Sequence, residues 1–380
     1  MDWRKDRNHR LTKAKRVLIK VGSAVLTSGE GLDAAVLTSL AAQMAALHGR
    51  GVDIVLVSSG AVAAGRRALA GRPKIDALPC KQAAAAVGQS RLMRAWDEAF
   101  AERGVVTAQL LLTRDDLESR ERYLNIRNTL RTLREWRAIP IINENDTVAV
   151  QELVYGDNDC LASLLVPAVG AELAVNLTSA PGVFASYPAR ESGVACLAYV
   201  PDIDSLDLDA MCGTKTSVGS GGMYSKLLAA KRVAKLGVPT YILPGRESNA
   251  LERAFAGEVV GTWIEAHEQA VSRRKFWLAY TTAPRGALTV DAGAAQALTA
   301  RGKSLLPAGI TGVSGQFEAG DPVAVDGPDG TRLGVGLTNY SSADLARIMG
   351  RKSAEIETVL GMAPYPEAIH RDNMSIDADA

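Results

Sequence analysis

Residues 17–60 contain VLIKV (17–21), AAVLTSLAAQMAALHGR (34–50) and DIVLVSSG (53–60). The first and last are short apolar runs with β-branched residues, and the middle one has helical spacing and ends beside Gly49 and Gly51. Two apolar runs joined by a helix of that length are the signature of parallel strands with a crossover, buried on both faces. The pattern continues. Helices are expected around Gln82–Glu102, Leu117–Trp136 and 223–237, and strands at VVTAQLLL (105–112), AIPII (138–142), LAVNLT (173–178) and PTYIL (239–243). The expected fold is therefore α/β, a mostly parallel sheet sandwiched by helices.

From about Ala270 the texture changes to KFWLAY, GALTV, GITGVSGQF, DPVAVDGPDG and TRLGVGL, short β-type runs between Gly and Pro turns, followed by helical SSADLARIM and SAEIETVL. A small β-rich domain is expected at 276–360, after an α/β domain at 17–270, with VSRRK (271–275) as hinge and 361–380 as a tail. The opening 1–16 is basic but lacks an apolar stretch behind it, so it is expected to be a solvated tail rather than a signal peptide.

A net charge of +1 on 380 residues gives no global attraction to nucleic acid or anionic membranes. Apolar runs are too short to span a bilayer, and no membrane partner is expected. The four cysteines show no CxxC spacing and form no ligand pattern with the four histidines, which excludes a disulfide framework or zinc site and fits a reducing cytoplasm.

Ligands of such sheets gather beyond the carboxyl ends of the strands, which singles out four loops. VGSGGMYSKLLAAK (218–231) offers glycine amides and a helix N-terminus to an anion, with Lys226 in the first turn; the alternative is a plain turn before an amphipathic helix. It is not a P-loop, since GxxxxGK[ST] is nowhere in the chain. Lys20, inside an apolar strand and followed by Gly22 and Ser23, needs a partner or the strand end; a snorkelling edge lysine is the alternative. In VSSGAVAAG (57–65), Ser58, Ser59 and Gly60 either hold a carboxylate or phosphate or cap a helix. INEND (142–146) and GDND (156–159) bring carboxylates and amides to the same edge, where they suit a substrate ammonium, Mg²⁺ or the two lysines, unless they only shape turns.

Taken together, VLIKVGSAVLT, VSSGAVAAGR, AAVGQSRLM, AQLLLTRDD, RYLNIRNTL, INENDTVA, GDND and GGMYSK resemble the amino acid kinase family, and within it the glutamate 5-kinase branch. LTVDAGA, GKSLLPAGI, GVSGQFEAGD and IHRDNM resemble the PUA domain that bacterial members carry at the carboxyl end. The resemblance implies ATP-dependent phosphorylation of the γ-carboxylate of L-glutamate, the opening step of proline biosynthesis, with ATP as substrate and Mg²⁺. It implies Lys20 and Lys226 on the phosphates, Asp159 orienting both lysines, and Ser59, Asp146 and Asn158 holding glutamate. Thr178, Ser179, Ser220, Gly221, Gly222, Met223, Tyr224 and Ser225 match nucleotide-binding positions, with no protein ligand set for a metal. The chain departs from the family in having Thr178-Ser179 where Thr-Asp is usual, which removes a charge, and in having Ser220 and Ser225 in place of threonines. The resemblance further implies a homo-oligomer, proline as feedback inhibitor and glutamate-5-phosphate reductase as product acceptor.

Acetylglutamate kinase and aspartokinase share the fold but usually lack the PUA tail. A regulatory protein binding RNA through that tail is the alternative of another class. Residues 276–380 hold 8 Lys plus Arg against 12 Asp plus Glu, an unfavourable balance for a phosphate backbone.

Overall fold

The computed structural model describes residues 2–29, 31–70, 77–149, 157–185, 196–212, 222–362 and 364–376. They divide into two compact units, 1–270 and 271–380.

In the first unit one sheet contains β1 (Arg16–Val21), β2 (Asp53–Ser58), β3 (Thr107–Leu112), β4 (Ile139–Glu144), β5 (Leu173–Thr178), β6 (Tyr199–Val200), β7 (Thr240–Pro244) and β8 (Thr262–Ile264). Their order is β6-β8-β7-β5-β1-β2-β4-β3, and only β7 and β8 pair antiparallel. The chain winds from β1 to β2 on one side and returns to β5 on the other, so β1 is the switch point at which such sheets open a crevice.

The helices that matter here are α1 (Trp3–Lys13), α2 (Ala34–Gly49), α3 (Ala61–Ala68), α4 (Leu78–Ala101), α5 (Arg120–Glu135), α6 (Asp157–Val169), α7 (Met223–Ala234) and α8 (Ala250–Phe255). Along β1 side chains alternate, as a strand requires. Val17, Ile19 and Val21 enter the main core with residues of α2, α4 and α8. Leu18 and Lys20 point to the other face, beneath α6 and α7.

The second unit has a five-stranded sheet of β9 (Gly286–Val290), β10 (Ile310–Gly315), β11 (Pro322–Asp326), β12 (Arg332–Leu337) and β13 (Met374–Ile376), in the order β10-β9-β11-β12-β13. All pairs are antiparallel except β9 with β11. Its own core is built from residues such as Leu288, Val323, Val325, Leu345 and Ile369. No helix among the described residues is long and apolar enough to cross a membrane.

Three local expectations are corrected. The basic N-terminal segment is not a solvated tail: it forms α1, capped by Asp2, with Arg7 and Leu11 buried. The Arg7 guanidinium donates to the Tyr241 hydroxyl (3.2 Å) and the Gly257 carbonyl (2.6 Å), and Trp3 stacks on Tyr199 at 4.8 Å. KFWLAY is not a strand, and Arg273 and Arg274 before it are helical as well. They lie in a helix, α9 (Arg273–Thr281), in which Phe276 meets Tyr280 one turn on, with centroids 4.8 Å apart. Finally, the helix expected over 117–136 is two, broken at Ser119, because Thr113 and Asp116 form a capping box that starts a separate short helix.

Candidate active site

Lys20 and Asn176 are register partners across β1 and β5, so their side chains share a face. α6 crosses that face and brings Asp159 over it. Lys20 Nζ lies 2.5 Å from Asp159 Oδ1, and Asn176 Nδ2 donates to the same oxygen at 3.1 Å. From α7, Lys226 Nζ reaches Asp159 Oδ2 at 3.2 Å and Ser225 Oγ donates to it at 2.7 Å. All five side chains are buried, Asp159 to 1% exposure.

The carboxylate of Asp159 is therefore a hub that spaces two ammonium groups. Burial pushes its pKa up, but Lys20 and Lys226 more than offset that, and it falls below the usual carboxylate range. Lys20 is held below the usual lysine range because burial strips its water and Lys226 repels it, which Asp159 offsets in part. The three groups together carry one net positive charge at the N-terminus of α7, whose first turn contains Lys226. An arrangement of that kind is completed by a polyanion.

A second cluster lies at the ends of β2 and β4. The two serines of VSSG divide: Ser58 is in the core, where its Oγ accepts from Trp96 Nε1 at 2.8 Å, while Ser59 turns toward α6. Gly60 follows with φ +116°, a conformation open to glycine at the start of α3. Asn158 Nδ2 donates to Ser59 Oγ and to Asn143 Oδ1, both at 2.9 Å. Asn143 Nδ2 in turn donates to Gln89 Oε1 at 2.7 Å. Because Asn158 and Asp159 are consecutive on α6, its first turn joins the amide cluster to the lysine cluster.

The remaining expected residues distribute around these two. Asp146 is half-buried in the turn after β4; Thr178 is buried at the end of β5, and Ser179 beyond it is exposed. Gly222 precedes α7, and Met223 and Tyr224 open it, both half-buried. Ser225 faces Asp159, so its hydroxyl supports the hub. Ser220 and Gly221 lie outside the described residues. Sequence reasoning did not assign Asn143, Asn176 or Gln89. The register partner of a strand lysine and a glutamine beside the helix glycine in AAVGQ were the available signals.

Among the described residues, side chains spaced to hold a metal occur once, at Asp202, Asp204 and His267. Asp202 and Asp204 follow β6 and His267 follows β8; Lys231 Nζ lies 3.2 Å from Asp204, and the group shares no residue with the two clusters above.

The amino acid kinase family model matches residues 15–244 and the PUA domain model residues 286–360. The chain is 58% identical over 378 residues, 100% of each chain, to a glutamate 5-kinase of Nitratidesulfovibrio vulgaris. It is 59% identical over 378 residues, again 100% of each, to one from Oleidesulfovibrio alaskensis. With a glutamate 5-kinase of Syntrophus aciditrophicus it shares 47% over 372 residues, 98% of this chain and 96% of the other.

Proposed function

The chain belongs to the amino acid kinase family and carries a PUA domain, and from that premise we propose that it is an ATP-dependent glutamate kinase. It phosphorylates the γ-carboxylate of L-glutamate to L-glutamate 5-phosphate, the first step of proline biosynthesis. Full-length similarity to glutamate 5-kinases favours free glutamate over acetylglutamate or aspartate, and catalysis over an RNA-binding role. The observation that carries the reading is the pair of lysines spaced by Asp159 next to an amide and hydroxyl cluster, one suited to phosphates and the other to an amino acid.

In the reaction a γ-carboxylate oxygen attacks the γ-phosphorus as the bond to the β-phosphate oxygen breaks, and ADP leaves. The nucleophile is already anionic, so no general base is needed. What the protein supplies is position and charge. Lys20 and Lys226 hold the phosphate oxygens, and Asp159 keeps the two ammonium groups apart and aimed. The amides at the start of α7 add their dipole, with Gly222, Met223, Tyr224, Thr178 and Ser179 beside the nucleotide. Ser59 and Asn158 hold the amino acid and Asp146 takes its α-ammonium. Mg²⁺ entering with the nucleotide would supply neutralisation of phosphate charge.

The same reading extends to a cytoplasmic setting, a homo-oligomer and feedback inhibition by proline. An acyl phosphate hydrolyses readily, which supports direct use by glutamate-5-phosphate reductase. Incubation with ATP, Mg²⁺, glutamate and hydroxylamine tests the activity, because hydroxylamine traps the acyl phosphate as γ-glutamyl hydroxamate. Hydroxamate from acetylglutamate or aspartate but none from glutamate would sink the assignment.

A further inference from the structure

Gln89 has no role in the activity just described, yet it ends the chain of amides that leads to Ser59. The direction of every hydrogen bond in that chain follows from one backbone group. Asn143 Oδ1 accepts from the backbone N–H of Glu144 at 2.9 Å. A backbone N–H can only donate, so this side of the amide must be its oxygen, and the usual ambiguity between amide oxygen and nitrogen does not arise. The Nδ2 of Asn143 therefore points the other way, where Gln89 Oε1 accepts at 2.7 Å. Asn158 meets the same Oδ1 and must present its own Nδ2 there, and that NH₂ group gives its second hydrogen to Ser59 Oγ. Ser59 is thereby an acceptor within the network, and its own proton is left to be donated outward. With the amides reversed, the Ser59 proton would be consumed by Asn158 instead.

Packing holds Gln89 in place. A Cβ on its neighbour Gly88 would lie 1.8 Å from the Ala61 carbonyl oxygen, and one on Gly65 would lie 1.7 Å from that of Ala84. α3 and α4 thus touch backbone to backbone, directly behind Ser59 in the chain and directly before Gln89. The buried Oδ1 of Asn158 has no partner among the described residues. At its Ser59 end the network thus presents one donor, the Ser59 hydroxyl, and one acceptor, Asn158 Oδ1, which match the carboxylate and ammonium groups of an amino acid; at its far end the buried Gln89 Nε2 also has no partner among the described residues.

We propose that Gln89 is a positioning residue: through Asn143 and Asn158 it holds the Ser59 hydroxyl as a donor toward a carboxylate of the substrate. This rests on the glutamate kinase reading. The test is a double-mutant cycle of the full chain, with Gln89→Met and Gln89→Leu each made alone and with Ser59→Ala, read as KM for glutamate, KM for ATP, kcat and melting temperature. Each Gln89 variant is expected to raise the glutamate KM about tenfold or more while the ATP KM stays put, and to have little further effect once Ser59 is alanine. A Gln89 effect that persists in full in the Ser59→Ala background, or that raises both KM values together, overturns the proposal. Wild-type protein that forms no hydroxamate with glutamate would defeat the underlying reading instead, so the two failures are distinguishable.

Discussion

Lys20 is the residue whose sequence context looked least comfortable, and the structure shows how an ammonium group is kept in a strand. It faces a carboxylate brought by another element, but at a cost visible in its lowered pKa. As pH rises, Lys20 loses its proton before an ordinary lysine would, so kcat/KM for ATP is expected to fall on the alkaline side below the usual lysine range. Asp159→Asn, which removes the favourable charge, is expected to shift that limb further down. The stability linkage has a definite sign for each group. Asp159 is depressed when folded, so its contribution is complete above the usual carboxylate range and is lost as pH falls through its folded value. For Lys20 the unfolded chain binds more protons between its lowered folded value and the usual lysine range, so its contribution grows with pH across that window. Acid unfolding of Asp159→Asn should show a shallower dependence on pH than wild type. Replacing Lys226 by alanine should lower kcat by roughly a hundredfold or more, about 3 to 4 kcal/mol, with glutamate KM little changed.

At the scale of elements, two helices do more than their sequences advertise. α1 is basic and short on apolar residues, and it stays folded because Arg7 is buried against Tyr241 and Gly257 while Trp3 lies on Tyr199. Arg7→Ala removes hydrogen bonds from a charged group and cation–π contacts with Trp3 and Tyr241, and is expected to cost about 2 to 3 kcal/mol. For a chain of this kind that is a fall in Tm on the order of 5 °C, with both KM values unchanged in steady-state assays. Gly88→Ala acts differently. The added carbon meets the carbonyl of Ala61, which cannot swing aside as a side chain would, so α3 and α4 must separate. Both a lower Tm and a raised glutamate KM are expected, since Gln89 moves with its helix.

For the whole molecule, the two units carry separate cores, one around β1 and α2 and the other around β9 and β11. A protein ending at residue 270 is expected to melt cooperatively and to form γ-glutamyl hydroxamate within about tenfold of the full chain, since all described residues of both clusters lie in the first unit. The acidic balance of residues 276–380 predicts that the full chain shows no tight, salt-sensitive shift of RNA in a gel. Much of this organisation was legible in the chain itself. LAVNLT and GALTV occupy the strands their patterns predict, residue for residue, because an apolar β-branched run bounded by turns has few other ways to be buried. KFWLAY was misread because five of its six residues are apolar or aromatic, and only the packing of Phe276 on Tyr280 separates a buried helix turn from a strand.

By itself the sequence determined the alternation of strands and helices, the change of texture near residue 270, and the loops where lysines, serines and amides accumulate, since these follow from local periodicity and turn chemistry. It also carried the motifs that place the chain in its family. The motifs implied that Asp159 orients Lys20 and Lys226; only the tertiary structure decided that Asn176 and Ser225 share the same carboxylate, because all four partners come from three separate elements and meet through strand register and helix crossing. The polarity of the Gln89, Asn143, Asn158 and Ser59 network was likewise beyond the sequence. It depends on which atom of an amide faces a single backbone N–H, and that is a matter of geometry.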